Sequence, residues 1–172
     1  MLQMVATAPT MMSALEDLYT IHHRTVFAAA YRITGSTADA EDVLHTVFLR
    51  VLRGAAPTTN AEGYLRRAAV NAALDLVRAR RRDADVELDR MPSNGPDGLS
   101  RVRDAELRGQ LRSALSSLPD RAAEVFVLRH FEGYRKPEIA RMLGITQIGV
   151  AVTLHRARKK LQDELRAMGV KR

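Results

Sequence analysis

Cysteine and tryptophan are absent from the 172 residues, and only four phenylalanines and four tyrosines are present. Without cysteine there is no disulfide, no zinc–thiolate site and no iron–sulfur cluster. The five histidines, His22, His23, His45, His130 and His155, show no zinc-protease spacing, so neither a metal nor another cofactor is expected. No apolar run approaches the about 18 residues that span a bilayer. The N-terminus has no basic segment followed by an apolar core and a cleavage site, so a cytoplasmic protein is expected. Scarce aromatics beside abundant Ala and Leu, in a chain 46% hydrophobic, argue against disorder throughout and favour helices. No nucleophile, base and oxyanion-donor set can be assembled, and no enzyme is expected.

What the chain does have is positive charge, formally +7. Residues 13–82 carry ten Arg or Lys against seven Asp or Glu, residues 83–103 three against five, and residues 104–172 fourteen against eight. Two basic blocks around an acidic connector suggest two contacts with a polyanion, although a merely soluble surface can show the same balance. Arg outnumbers Lys by 23 to 4, which suits bidentate grips on phosphate.

The connector is "RRDADVELDRMPSNGPDGLSRVRD", in which Pro92, Asn94, Gly95, Pro96 and Gly98 break any helix. Two domains are therefore expected, at 13–82 and 104–172, with a flexible linker at 83–103 and a disordered N-terminus at 1–12. In the first block, Leu15, Leu18, Val26, Ala29 and Ile33 repeat at helical spacing up to Gly35, with a break suggested near His22-His23. Ser36 can cap a second helix whose apolar face is Ala40, Val43, Leu44, Val47, Phe48 and Val51. A third helix runs from about Ala61 to Arg82, with Leu65, Ala68, Ala72 and Leu76 inward. In the second block, one helix stops before Pro119 and another covers Asp120 to Phe131. A short helix over Pro137–Leu143 follows, then a turn at Gly144-Ile145-Thr146 and a last helix with Val150, Leu154, Ala157 and Leu161 on one face. Short helix, glycine turn, longer helix is the helix-turn-helix pattern. The near alternation of "IGVAVTL" also admits a strand, but no partner strand is evident. The fold class is all-α, in two small helical domains.

Three stretches could carry chemistry. Asp39, Glu41 and Asp42 open the second helix, where acids complement the helix dipole and could equally form a docking face or, less consistently with their neighbours, a metal cluster. Tyr64, Arg67, Asn71, Asp75, Arg78 and Arg82 share one face of the third helix. Such a stripe is commonly a solvated surface, yet an aromatic among amides and guanidiniums is the set that stacks unpaired bases and holds a single strand. The last helix ends "LHRARKKLQDEL", whose Arg156, Arg158, Lys159 and Lys160 suit phosphates or the helix dipole alike.

These residues resemble a family. "ADAEDVLHTVFLRVL", Ala38 to Leu52, is similar to the core-polymerase-binding region of extracytoplasmic-function (ECF) sigma factors, and "YLRRAAVNAALDLVRARRR", Tyr64 to Arg82, to their promoter-melting helix. "LPDRAAEVFVLRHFEGYRKPEIARMLGI", Leu118 to Ile145, followed by "LHRARKKL", resembles their C-terminal promoter-reading domain. The resemblance implies a bacterial transcription initiation factor without catalysis, which binds RNA polymerase core and promoter DNA and is held by an anti-sigma factor. It implies core contacts at Asp39, Glu41, Asp42, Val43, His45, Thr46 and Leu49, and contacts to the melted minus-ten element at Asn60, Tyr64, Arg67, Asn71, Arg78 and Arg82. For the minus-thirty-five element it implies Arg135, Lys136, Thr146, Gln147, Gly149, Ala151, Thr153, His155, Arg156, Arg158 and Lys159. The family usually has Gln-Glu at His45-Thr46, Trp at Tyr64 and Ser at Arg135, and it places Lys, Ser and Arg where this chain has Ala151, Val152 and Thr153. A helix-turn-helix regulator of another kind, and a sigma-like module acting only through protein contacts, are the competing readings.

Overall fold

A computed structural model describes residues 8–54, 60–86 and 99–169, and among these it contains seven helices and no strand. α1 spans Ala8–Thr34, α2 Thr37–Leu52 and α3 Ala61–Val86. α1 starts five residues before Ser13, so residues 8–12 are helical rather than disordered, and residues 1–7 lie outside the described residues. Pro9 sits in the first turn, where a missing N–H leaves no helical bond unmade. The helix also runs unbroken through His22 and His23, which are half-covered, while Val26, Ala29, Ala30 and Ile33 keep one continuous buried face.

Gly35 ends α1 with φ of 66°, the left-handed conformation that a Cβ disfavours, and its N–H donates to the Tyr31 carbonyl at 2.8 Å. The chain turns at once into α2, where the Ser36 hydroxyl accepts from the Asp39 N–H. α1, α2 and α3 pack mutually around Ile33, Val43, Val47, Leu65, Val70 and Leu74. Burying side chains of this size stabilises by about 1.5–3 kcal/mol each. On α3 the inward set is Leu65, Ala69, Val70, Ala72, Ala73 and Leu74, while Ala68 and Leu76 are only partly covered.

α4 covers Leu99–Ser116, α5 Asp120–His130, α6 Lys136–Leu143 and α7 Gln147–Ala167. The helices on either side thus take up both ends of the expected linker, and residues 87–98, with its Pro and Gly cluster, lie outside the described residues. Pro119 separates α4 from α5. α7 crosses α4, α5 and α6 along its buried seam of Val150, Leu154, Ala157 and Leu161. Its first turns are helical, so "IGVAVTL" is not a strand: the Thr146 hydroxyl accepts from the Gly149 N–H at 3.0 Å and starts the helix there. The second group of helices rests on the first through α3, which meets both α4 and α5.

Candidate nucleic-acid and polymerase interfaces

The acidic opening of α2 divides between two faces. Asp39 is 2% exposed and accepts from the Arg80 guanidinium of α3, so it joins two helices of the bundle. Val43 lies in the core. Neither side chain is thus offered to an incoming partner in this structure, where the apolar seam of α2 is filled by α1 and α3. Glu41, Asp42, His45, Thr46 and Leu49 are exposed and, at spacings of three and four, form one outward face, on which Leu49 and Leu52 are large apolar side chains left in solvent.

α3 carries the mixed stripe. Asn60 has φ of 51°, tolerable for an Asn, and its Oδ1 accepts from the Gly63 N–H at 3.1 Å, so this side chain starts the helix. Tyr64 is 37% exposed and Arg82 is exposed. The middle of the stripe is covered. Arg67 Nε donates to Glu124 Oε1 of α5 at 2.6 Å and its Nη1 to the Met142 carbonyl at 3.1 Å, while Asn71 Nδ2 donates to the same Glu124 oxygen at 3.0 Å. Arg78 pairs with Asp120 at 3.1 Å and donates to the Leu118 carbonyl. Arg81 donates to the Ser113 carbonyl and the Ser116 hydroxyl of α4. A further pairing joins Glu132, just beyond α5, to Arg32 of α1 at 2.6 Å and Arg66 of α3 at 3.4 Å. The stripe faces away from its own bundle, but its middle, Arg67, Asn71 and Arg78, is taken up by carboxylates of the second half, while Tyr64, Asp75 and Arg82 stay in solvent. Sequence reasoning missed Glu124, Asp120 and Glu132. A signal existed: Glu124 interrupts the apolar run "AAEVFVL", and a charge there, 6% exposed, requires a partner.

The helix-turn-helix is α6, the turn and α7. Arg135 stands at the N-cap of α6, and its side chain, having only donors, caps nothing; instead the Glu138 carboxylate accepts from the Arg135 N–H at 2.6 Å. That bond, before any charge effect, holds the Glu138 carboxyl below its ordinary pKa. Gly144 takes φ of 63° at the turn. On α7, Gln147, Ile148, Val152, His155, Arg156 and Lys159 are exposed at spacings of three and four, while Gly149, Ala151 and Thr153 are half-covered. The outward stripe thus opens with Ile148, 77% exposed, and turns basic only after His155. Arg158 donates to His130 Nε2 at 3.2 Å, and Lys160 to the Ser117 carbonyl at 2.8 Å, so these two cations lean back onto α5 and the turn before it. Burial, with Arg158 and Arg129 nearby, lowers the His130 pKa, consistent with a neutral ring accepting that bond.

Residues 18–83 match the family described as Sigma-70 region 2, and residues 108–161 match Sigma-70, region 4. The RNA polymerase sigma factor CarQ of Myxococcus xanthus is 32% identical over 88% of this chain and 89% of its own length. The chain belongs to the ECF sigma factors. The ECF RNA polymerase sigma factor SigE of Mycolicibacterium smegmatis is 35% identical over 90% of this sigma factor, which spans 62% of that relative's length. In fold it is similar to the sigma factor RpoE solved in complex with the anti-sigma factor NepR from Bartonella quintana, with a TM-score of 0.52 at 17% identity, covering 88% of this chain and 96% of that one. The two family regions fall on α1–α3 and on α4–α7, so the sigma factor's regions 2 and 4 meet across the Arg67–Glu124 contact.

Proposed function

We propose that this sigma factor binds RNA polymerase core through the exposed face of α2, holds the opened minus-ten strand on α3, and sets α7 in the major groove at the minus-thirty-five element. It works in the cytoplasm, catalyses no reaction, and lends promoter choice to the polymerase that does. Glu41 and Asp42 beside exposed Leu49 and Leu52 supply charge to steer a basic partner and apolar area to anchor it. On α3, Tyr64 offers a stacking surface for an unpaired base, while Arg67, Asn71, Arg78 and Arg82 offer donors to its edges and phosphates. Phosphate grip by Arg156 and Lys159 fixes the register of α7 without reading sequence.

The observation that carries this reading is the stripe on α3, whose aromatic, amide and guanidinium groups lie on one side of one helix. Because α5 occupies its centre in the closed chain, engagement of DNA requires the two halves to separate, and docking of both halves on the large core is the event suited to drive it. An anti-sigma factor is the corresponding negative partner, since the RpoE relative in fold was solved bound to one. Reconstitution with purified core polymerase tests the reading. Tyr64→Ala is expected to form closed complexes normally while permanganate reactivity of the melted region falls at least several-fold; equal reactivity in wild type and variant would remove Tyr64 from the melting role.

A further inference from the structure

The first two turns of α7 hold two large apolar side chains out of the protein: Ile148, 77% exposed, and Val152, 43% exposed. They lie one helical turn apart on a single face, opposite the seam of Val150 and Leu154. Scattered exposed aliphatics are ordinary on protein surfaces. These are not scattered. They occupy the N-terminal end of the second helix of a helix-turn-helix, the segment that meets base edges when such a helix enters the major groove. Between them, Gly149 and Ala151 carry no side chain long enough to hold the helix away from the groove floor. Exposed cations flank the patch on the same face at Arg156 and Lys159, but none lies within it.

In the major groove only one base edge presents an apolar group, the 5-methyl of thymine; guanine, adenine and cytosine offer acceptors and donors. A side chain without donors gains nothing from those polar edges and leaves them without a partner. We propose that Ile148 and Val152 read thymine methyls in the upstream promoter element, an inference that rests on the sigma-factor reading above and names the chemistry of its upstream contact. Side chains about 6 Å apart reach across about two base pairs at 3.4 Å each. Gln147, exposed immediately before Ile148, supplies an amide able to pair with N6 and N7 of an adenine beside them. The preferred site is a short run of A·T pairs with its thymines toward Ile148, chosen by methyl contact rather than by the hydrogen-bond donors that Ala151 and Val152 lack.

The test uses the full chain assembled with core polymerase and promoters selected by that holoenzyme from a pool randomised over the upstream element. Selection is expected to enrich thymine on one strand at two neighbouring positions. The selected promoter is then rebuilt with deoxyuridine at those positions, which deletes the methyl groups and leaves every hydrogen-bonding group in place. Open-complex formation should fall about fourfold per methyl removed, the equivalent of the about 0.8 kcal/mol of one buried methylene-sized group. Ile148→Ala and Ile148→Ser should initiate equally from thymine and uracil templates at the position Ile148 reads, with circular dichroism unchanged because the side chain is already in solvent. Wild-type holoenzyme that opens both templates equally overturns the proposal, as does selection without thymine enrichment. A variant that keeps thymine preference but loses binding to a protein partner also overturns it, by assigning the patch to that partner. If no promoter in the pool is opened at all, the sigma-factor reading itself fails instead.

Discussion

Asp39 and Asp42 stand three residues apart in one acidic cluster, and they should respond to mutation in opposite ways. Asp39 is nearly inaccessible and binds Arg80, whose own side chain is largely exposed. Removing one partner of a buried pair costs about 3–5 kcal/mol, and solvent around Arg80 reduces this, so Asp39→Lys is expected to destabilise by about 2 kcal/mol, measured by urea unfolding. Glu41→Lys with Asp42→Lys, both in solvent, should leave unfolding unchanged and weaken capture by immobilised core polymerase; undiminished capture would disprove the docking role of this face. Glu138 gives a pH signature. Its folded pKa lies below the unfolded value, so the stabilisation it gives α6 is complete above the ordinary carboxylate range and disappears as pH falls through the lower folded value. An NMR titration should place its midpoint below that of a free glutamate, and Glu138→Gln should abolish this acid-dependent step.

At the scale of helices, boundaries follow from caps and from the residues that cannot continue a helix. Gly144 is one such stop: Gly144→Ala must take a left-handed φ with a Cβ, and an increase of about 1 kcal/mol in ease of unfolding is expected by denaturant titration. Ser36, Gly35, Pro119, Gly144 and Thr146 are legible in the sequence because each acts through its own backbone or a neighbour within three or four residues. The all-α fold and the buried seam of α7 were legible for the same reason, as periodicity is local. The fate of the α3 stripe was not. Tyr64, Arg67, Asn71 and Arg78 do share a face, but that α5 covers its middle depends on how two groups of helices distant in sequence come together, and no local spacing encodes that. The same limit applies to Asp39, whose inward turn is set by Arg80, forty-one residues away. On α7, periodicity alone distinguishes Ile148 and Val152 from the seam, whereas the half-cover over Ala151 and Thr153 depends on how α7 crosses its neighbours.

At the scale of the whole molecule, three carboxylates among the described residues of the second half hold cations of the first: Glu124 with Arg67, Asp120 with Arg78, and Glu132 with Arg32 and Arg66. Asp120 is nearly fully exposed and its pairing should be screened at about 1 M salt, where the Debye length is about 3 Å; Glu124, with 7% of its side chain exposed, is shielded from that effect. Salt alone is therefore expected to leave the halves together, whereas Glu124→Ala combined with Glu132→Ala should enlarge the radius of gyration measured by small-angle X-ray scattering. An unchanged radius would show that apolar packing between α3 and α5 suffices. On the reading proposed here, Arg67 and Asn71 can hold either Glu124 or a nucleic-acid strand, and binding to a stray strand must draw on the separated form. If closed chains outnumber separated ones by about a hundred to one, apparent affinity for any single strand falls about a hundredfold. At such a ratio a chain of formal charge +7 would be a poor trap for passing transcripts, and would become a ligand for unpaired DNA chiefly in the company that separates its halves.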